Sequence, residues 1–192
     1  MSAASAGAGP TRDLRVDLDF ACTLADAARP IALSRFRAGA SIDNKIASGF
    51  DPVTEADRGV EAELRRRLAE GRPDDAILGE EAAPLPGRSG RTWVLDPVDG
   101  TRAFIAGLPT WCVLIALSGP DGPLLSVVDQ PFTEERFSAI AGQGAWLDHK
   151  GVRRPIRASA CETVSRAILS TTDPGLFAGA EADAFDALAS RT

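Results

Sequence analysis

Apolar runs at 112–117, 124–128 and 136–140 are each short and are separated by turns rich in Gly, Pro and Asp. Runs of this length and spacing read as strands joined by tight connections, so this part of the chain is expected to form an antiparallel meander or a set of hairpins. Upstream, Leu14, Leu18, Cys22, Ala25, Ala32 and Phe36 keep to one helical face from Leu14 to about Arg37, with Pro30 expected to kink or break that opening helix. The stretch "SIDNKIASGFD" reads as a short strand or hairpin connection. Thr54 offers an N-cap and Asp57 a capping-box acid for a second helix, lined by Val60, Leu64 and Leu68, that ends near Gly71 before Pro73. "DAILGEE" and "TWVLD" are strands, and "APLPGRSGR" between them is a surface loop. The segment "GQGAWLDHKGVRRPI" is turn-rich, residues 167–170 resemble a further buried strand, and a helix is expected near 181–189. Helices and strands are grouped rather than alternating, which favours an α+β fold over a doubly wound parallel sheet.

A chain of 192 residues with 44% hydrophobic and 25% charged residues can bury a substantial core. No apolar run approaches the roughly 20 residues that span a bilayer, and the opening "MSAASAGAGPTRD" lacks the basic start and apolar stretch of a signal peptide. A cytoplasmic protein with a loose tail over 1–12 and no membrane partner is expected. Net charge of −6 argues against a nucleic-acid surface, which needs clustered Lys and Arg. The three cysteines, Cys22, Cys112 and Cys161, show neither disulfide-framework nor metal-knuckle spacing and read as buried free thiols.

The segment "WVLDPVDGTRAFIAG" places Asp96 and Asp99 at the end of an apolar strand. Two carboxylates so close repel one another and lose hydration unless a cation or proton lies between them. Glu80 and Glu81 end another short strand, and two strands of one sheet would bring the pairs together. Carboxylates with the Val98 carbonyl form an all-oxygen ligand set, which suits Mg²⁺ and not zinc. Pro97 stiffens the loop, Gly100 lets backbone approach a bound group, and Thr101 opens a short helix whose N–H groups favour an anion such as phosphate. A calcium EF-hand loop fails in either register: counting from Asp96 puts Gly107 at the position of the bidentate acid, and placing Gly100 at the invariant glycine makes Leu95 the first ligand. Taken singly, these residues have plainer readings. Asp57 serves as a capping acid, Glu80 and Glu81 as a solvated pair, Lys45 and Arg102 as surface charges, and His149 as an exposed turn residue. Trp93, Trp111 and Trp146 read as packing residues, and Cys112 as a small buried hydrophobe.

Together, "DPVTEADR" at 51–58, "GEE" at 79–81 and "WVLDPVDGT" at 93–101 resemble the inositol monophosphatase family of Mg²⁺-dependent phosphatases. "FIAGLP", "VVDQPFTEERF" and "LSTTDPGLF" are most similar to its histidinol-phosphatase branch. The resemblance implies a layered αβαβα sandwich of the inositol monophosphatase / fructose-1,6-bisphosphatase type. It also implies metal ligands at Glu80, Asp96, Asp99 and the Val98 carbonyl, and a Thr101–Asp57 dyad that orients and deprotonates the attacking water. Glu81 would support the ligands, Gly100 and Thr101 would give the phosphate backbone donors, and Lys45 would stand near the site.

Family members continue for about a further third, through a W-D-x-A-[AG] motif whose aspartate binds another metal ion, and no such motif occurs here. The expected organisation is a metal-bearing α+β domain over 13–150 and the beginning of a second domain over 151–192, with the second metal site weakened. The function expected is hydrolysis of a small phosphate monoester, foremost histidinol phosphate in histidine biosynthesis, by a homodimer. Inositol phosphate, a nucleotide or sugar bisphosphate, and an inactive metal-binding or oligomerising subunit are the alternatives.

Overall fold

The computed structural model describes residues 13–38, 42–44 and 52–192. Helix α1, Leu14–Arg35, starts where the Asp13 side chain accepts a hydrogen bond from the Arg15 amide at 2.9 Å. It continues through Pro30 rather than breaking there. Proline removes one helical hydrogen bond, but Ala28 and Ala32 on either side are fully buried against the core, and that packing outweighs the loss. Strands β1, Ile42–Asn44, and β2, Pro52–Thr54, pair antiparallel as the small hairpin expected from that stretch. Helix α2, Glu55–Gly71, follows β2 directly through a complete capping box of Thr54 and Asp57.

The main sheet has seven strands: β3, Ala76–Gly79; β4, Thr92–Asp99; β5, Cys112–Gly119; β6, Gly122–Gln130; β7, Glu135–Ile140; β8, Gly144–His149; and β9, Val152–Ile156. They lie side by side in chain order. From β4 onward every neighbour is antiparallel, the meander expected from the turn spacing, whereas β3 alone joins parallel, on the outer side of β4. The segment read as merely turn-rich is the β8–β9 hairpin. Lys150 (φ 50°) and Gly151 (φ 78°) form its two-residue turn between the paired His149 and Val152. Arg153, Arg154 and Pro155 hide β9 from a hydrophobicity pattern, and proline is tolerated there because β9 is an edge strand.

Both long helices cover one face of the sheet, α1 against β5, β6 and β7 and α2 against β4. Val113, Ile115 and Leu117 of β5 point into this layer and are essentially inaccessible. Trp93 is fully buried, donating its indole N–H to Asp75 at 2.9 Å, and Trp111 stacks edge-on against Phe104 with ring centres 4.9 Å apart. Two buried carboxylates cross-link the layers. Asp17 of α1 receives Arg72 at 2.8 Å and Arg91 at 2.5 Å. Asp129 of β6 receives Arg29 of α1 through two 2.8 Å bonds and Arg136 of β7 at 2.7 Å.

The chain divides into two units, Met1–Ile156 and Arg157–Thr192. In the second, α4, Ala180–Ala189, forms near the place expected, and Phe177 stacks on Phe185. Residues 167–170 form no strand, and Ile168 is 97% exposed. Among the described residues this segment has no neighbouring strand to complete a ladder, and an apolar run alone does not supply one. No helix among the described residues is long and apolar enough to cross a membrane.

Candidate active site

The parallel pairing of β3 with β4 sets Gly79 opposite Leu95, so the next residue of each strand is an acid: Glu80 beside Asp96. Asp96 lies close enough to Glu80 and to Asp99 for both of their charges to act on it. Burial, followed by the charges of Glu80 and Asp99, pushes Asp96 up to about 7 from an ordinary 3.8, while the Val98 backbone pulls weakly the other way. One Asp96 oxygen, Oδ1, is buried without any hydrogen-bond partner.

Beyond Asp96 the β4–β5 ladder skips to Asp99 opposite Cys112. Pro97, which has no N–H to offer, lies in this irregular stretch. The Val98 carbonyl accepts the Thr101 hydroxyl at 3.0 Å, a partner the sequence did not foretell; the carbonyl's second lone pair is still available in principle. Asp99 reaches the surface and takes a long hydrogen bond from the Cys112 thiol at 3.7 Å. Burial first, and then Asp99, push that thiol up to about 12, so it stays protonated. Gly100 turns the chain into helix α3, Thr101–Ile105, with φ of 86°, and a Cβ there would lie 2.7 Å from the Thr110 carbonyl oxygen. Only glycine fits.

Asp57 is buried, and its Oδ2 accepts both the amide (2.8 Å) and the hydroxyl (2.5 Å) of Thr54, so the capping role is real. Packing of α3 against β2 and of α2 against β4 brings the β2–α2 junction, with Asp57, and the β4–α3 turn, with Thr101, into one neighbourhood. Glu81 is half-buried just beyond Glu80. Lys45 lies outside the described residues. His149 ends β8, partly exposed, on the far side of the sheet order from Glu80.

One group that the sequence reading passed over stands directly behind Glu80. Glu61 of α2 is 2% exposed, and its carboxylate accepts the backbone N–H groups of Glu81 at 2.7 Å and Ala82 at 3.0 Å. Its spacing of four from Arg65 reads in sequence as an ordinary surface pair, and only the tertiary structure shows otherwise.

Among the described residues no three or more His, Cys, Asp or Glu side chains close into a ready-made ion cage. The donor set nevertheless fits a hard divalent cation. It offers three carboxylates and a carbonyl, with one buried carboxylate oxygen unpartnered and one carboxyl kept protonated first by burial and then by its neighbours' charge. A cation would answer both features at once.

Residues 13–179 match the inositol monophosphatase family, and the chain belongs to it. It is 42% identical over 139 residues to a histidinol-phosphatase from Mycobacterium tuberculosis, covering 71% of this chain and 52% of that protein. A histidinol-phosphatase from Chlorobaculum parvum is 38% identical over 138 residues, with the same shares covered. The chain thus spans about half the length of these curated relatives. Its fold is also that of a solved inositol monophosphatase from Zymomonas mobilis, with a TM-score of 0.78 and 35% identity over 94% of this chain and 68% of that one.

Proposed function

We propose that this chain carries the metal-binding and water-activating part of a Mg²⁺-dependent phosphomonoesterase, with histidinol phosphate as substrate. The observation that carries the reading is the Glu80–Asp96–Asp99 group, in which a buried carboxylate oxygen lacks a partner and Asp96 is held protonated up to about pH 7. Support for the substrate comes from the two histidinol-phosphatases named above, while the likeness to the Zymomonas enzyme makes inositol phosphate the second candidate.

In this proposal Glu80, Asp96, Asp99 and the Val98 carbonyl hold the cation. When bound, Mg²⁺ supplies charge neutralisation for the phosphoryl oxygens and a water of lowered pKa, the main needs of a reaction whose uncatalysed rate calls for gains up to ~10²¹. The chain's own residues set the rest. Asp96 gives up its proton so that its carboxylate can act as a ligand. The Thr101 hydroxyl, which rests against the Val98 carbonyl, turns its proton to Asp57 for the reaction and accepts the proton of the attacking water in exchange. The Gly100 turn lets backbone amides approach the phosphate without a side chain intervening. Glu81 steadies the ligand loop, and Lys45 contributes positive charge near the ester.

A phosphate-release assay on histidinol phosphate and on inositol 1-phosphate, each with and without Mg²⁺, tests the reading. Mg²⁺-dependent release, faster on histidinol phosphate and lost in Asp96→Asn, is expected. Mg²⁺ binding with no release from either ester would leave only a metal-binding subunit.

A further inference from the structure

We infer that Glu61, with Arg65, is the positioning device for the metal loop: a buried clamp that fixes the backbone on both sides of Glu80 without touching the ion. The inference rests on the metal-site reading above.

A carboxylate buried to 2% on a helix that otherwise presents Val60, Leu64 and Leu68 to the core is costly, and a leucine would fill that stripe at far lower cost. What Glu61 does with its charge is specific. Oε2 accepts the Glu81 amide at 2.7 Å, and Oε1 accepts the Ala82 amide at 3.0 Å together with Arg65 Nε at 2.7 Å. Arg65 then reaches over the same loop, donating to the Ala82 carbonyl at 2.8 Å and to the Ala83 carbonyl at 3.1 Å. Between them the two side chains satisfy donors and acceptors on consecutive peptides immediately after Glu80. On the other side of Glu80, a Cβ added to Gly79 would stand 2.3 Å from Glu61 Oε1, so the carboxylate occupies the space that any other residue at 79 would need. Glu80 is therefore bracketed by two positions, 79 and 81, whose placement Glu61 dictates. Glu80 itself lies just beyond Gly79, the last paired residue of the β3–β4 ladder. Supports of this kind, one step removed from the ion, typically set metal affinity by about 10–100-fold.

Glutamine at 61 is nearly the same size but presents an amide NH₂ to one of the donors, so one arm of the clamp must open. The test compares Mn²⁺ affinity, by electron paramagnetic resonance of free Mn²⁺, in the wild-type chain, Asp96→Asn, Glu61→Gln, Arg65→Met and Gly79→Ala. Thermal melts show which chains are folded at the assay temperature. Expected are loss of the site in Asp96→Asn, weakening by about tenfold or more in Glu61→Gln and Gly79→Ala, and a smaller weakening in Arg65→Met. A residue that merely stabilises the fold would lower the melting temperature and leave the affinity of the folded chain unchanged. Wild-type affinity in folded Glu61→Gln overturns the inference; should that variant not fold, wild-type affinity in Arg65→Met does so. If Asp96→Asn binds Mn²⁺ as tightly as the wild type, the metal-site reading itself fails, and that result is distinguishable because it does not involve Glu61. The Gly79 contact gives an independent check: Gly79→Ala should destabilise the wild-type chain and be close to neutral in Glu61→Ala, where the space is vacant.

Discussion

At the scale of single residues, the acids of the candidate site were legible because a carboxylate at the end of an apolar strand is conspicuous. Glu61 was not, because an acid four positions before an arginine is the commonest helix-surface pattern. Nor could spacing show that the Val98 carbonyl holds Thr101. Asp96 gives a prediction with a definite sign. Its carboxyl holds a proton up to about pH 7 in the fold, against an ordinary 3.8, so between those values the folded chain binds more protons than the unfolded one. Stability in EDTA should therefore fall as pH rises from 5 to 8. Asp96→Asn should flatten that slope, and Mg²⁺ should raise the melting temperature at pH 8 far more than at pH 5. Calorimetric melts across this range provide the measurement, and a metal-free stability that rises over it would contradict the assignment.

At the scale of elements, the sequence showed both long helices and β3 to β7, since each has a cap, a periodic apolar face or a turn to mark it. The β8–β9 hairpin escaped because its second strand is mostly exposed and basic, and the strand expected at 167–170 failed because apolar content does not provide a pairing partner. Equally invisible was how the elements are fastened. Arg29 and Asp129 are 100 residues apart, yet they lock α1 to β6 while Arg136 brings in β7. Asp129 is fully buried between the two guanidinium groups, and removing it takes this partner from the largely buried Arg29 and leaves Arg136 held by Asp26. Asp129→Ala is expected to cost about 3–5 kcal/mol, with the loss read from urea denaturation, whereas Asp74→Ala, which breaks an exposed pair with Arg88, should leave the urea midpoint essentially unchanged.

At the scale of the whole molecule, grouping of helices and strands was enough to read α+β, and the sheet obeys it with one exception, the parallel strand β3. That exception governs the order of assembly. Strands β4 to β9 meet through successive antiparallel turns, the longest enclosing α3, whereas β3 reaches β4 only after the intervening loop has closed, and parallel pairing offers no tight turn to nucleate it. A four-residue border strand met on its outer edge, among the described residues, by no more than the isolated Ile77–Leu85 bridge is also a place where local opening costs little. Native-state hydrogen exchange should accordingly find the amides of Ile77 and Glu81 opening at lower free energy than those of Ile115 and Val127, and metal should slow the first pair selectively. The acids proposed to receive the ion are expected to come together late as the chain folds and to part early when it loosens, so an ion bound there would act as a latch on the last strand to arrive.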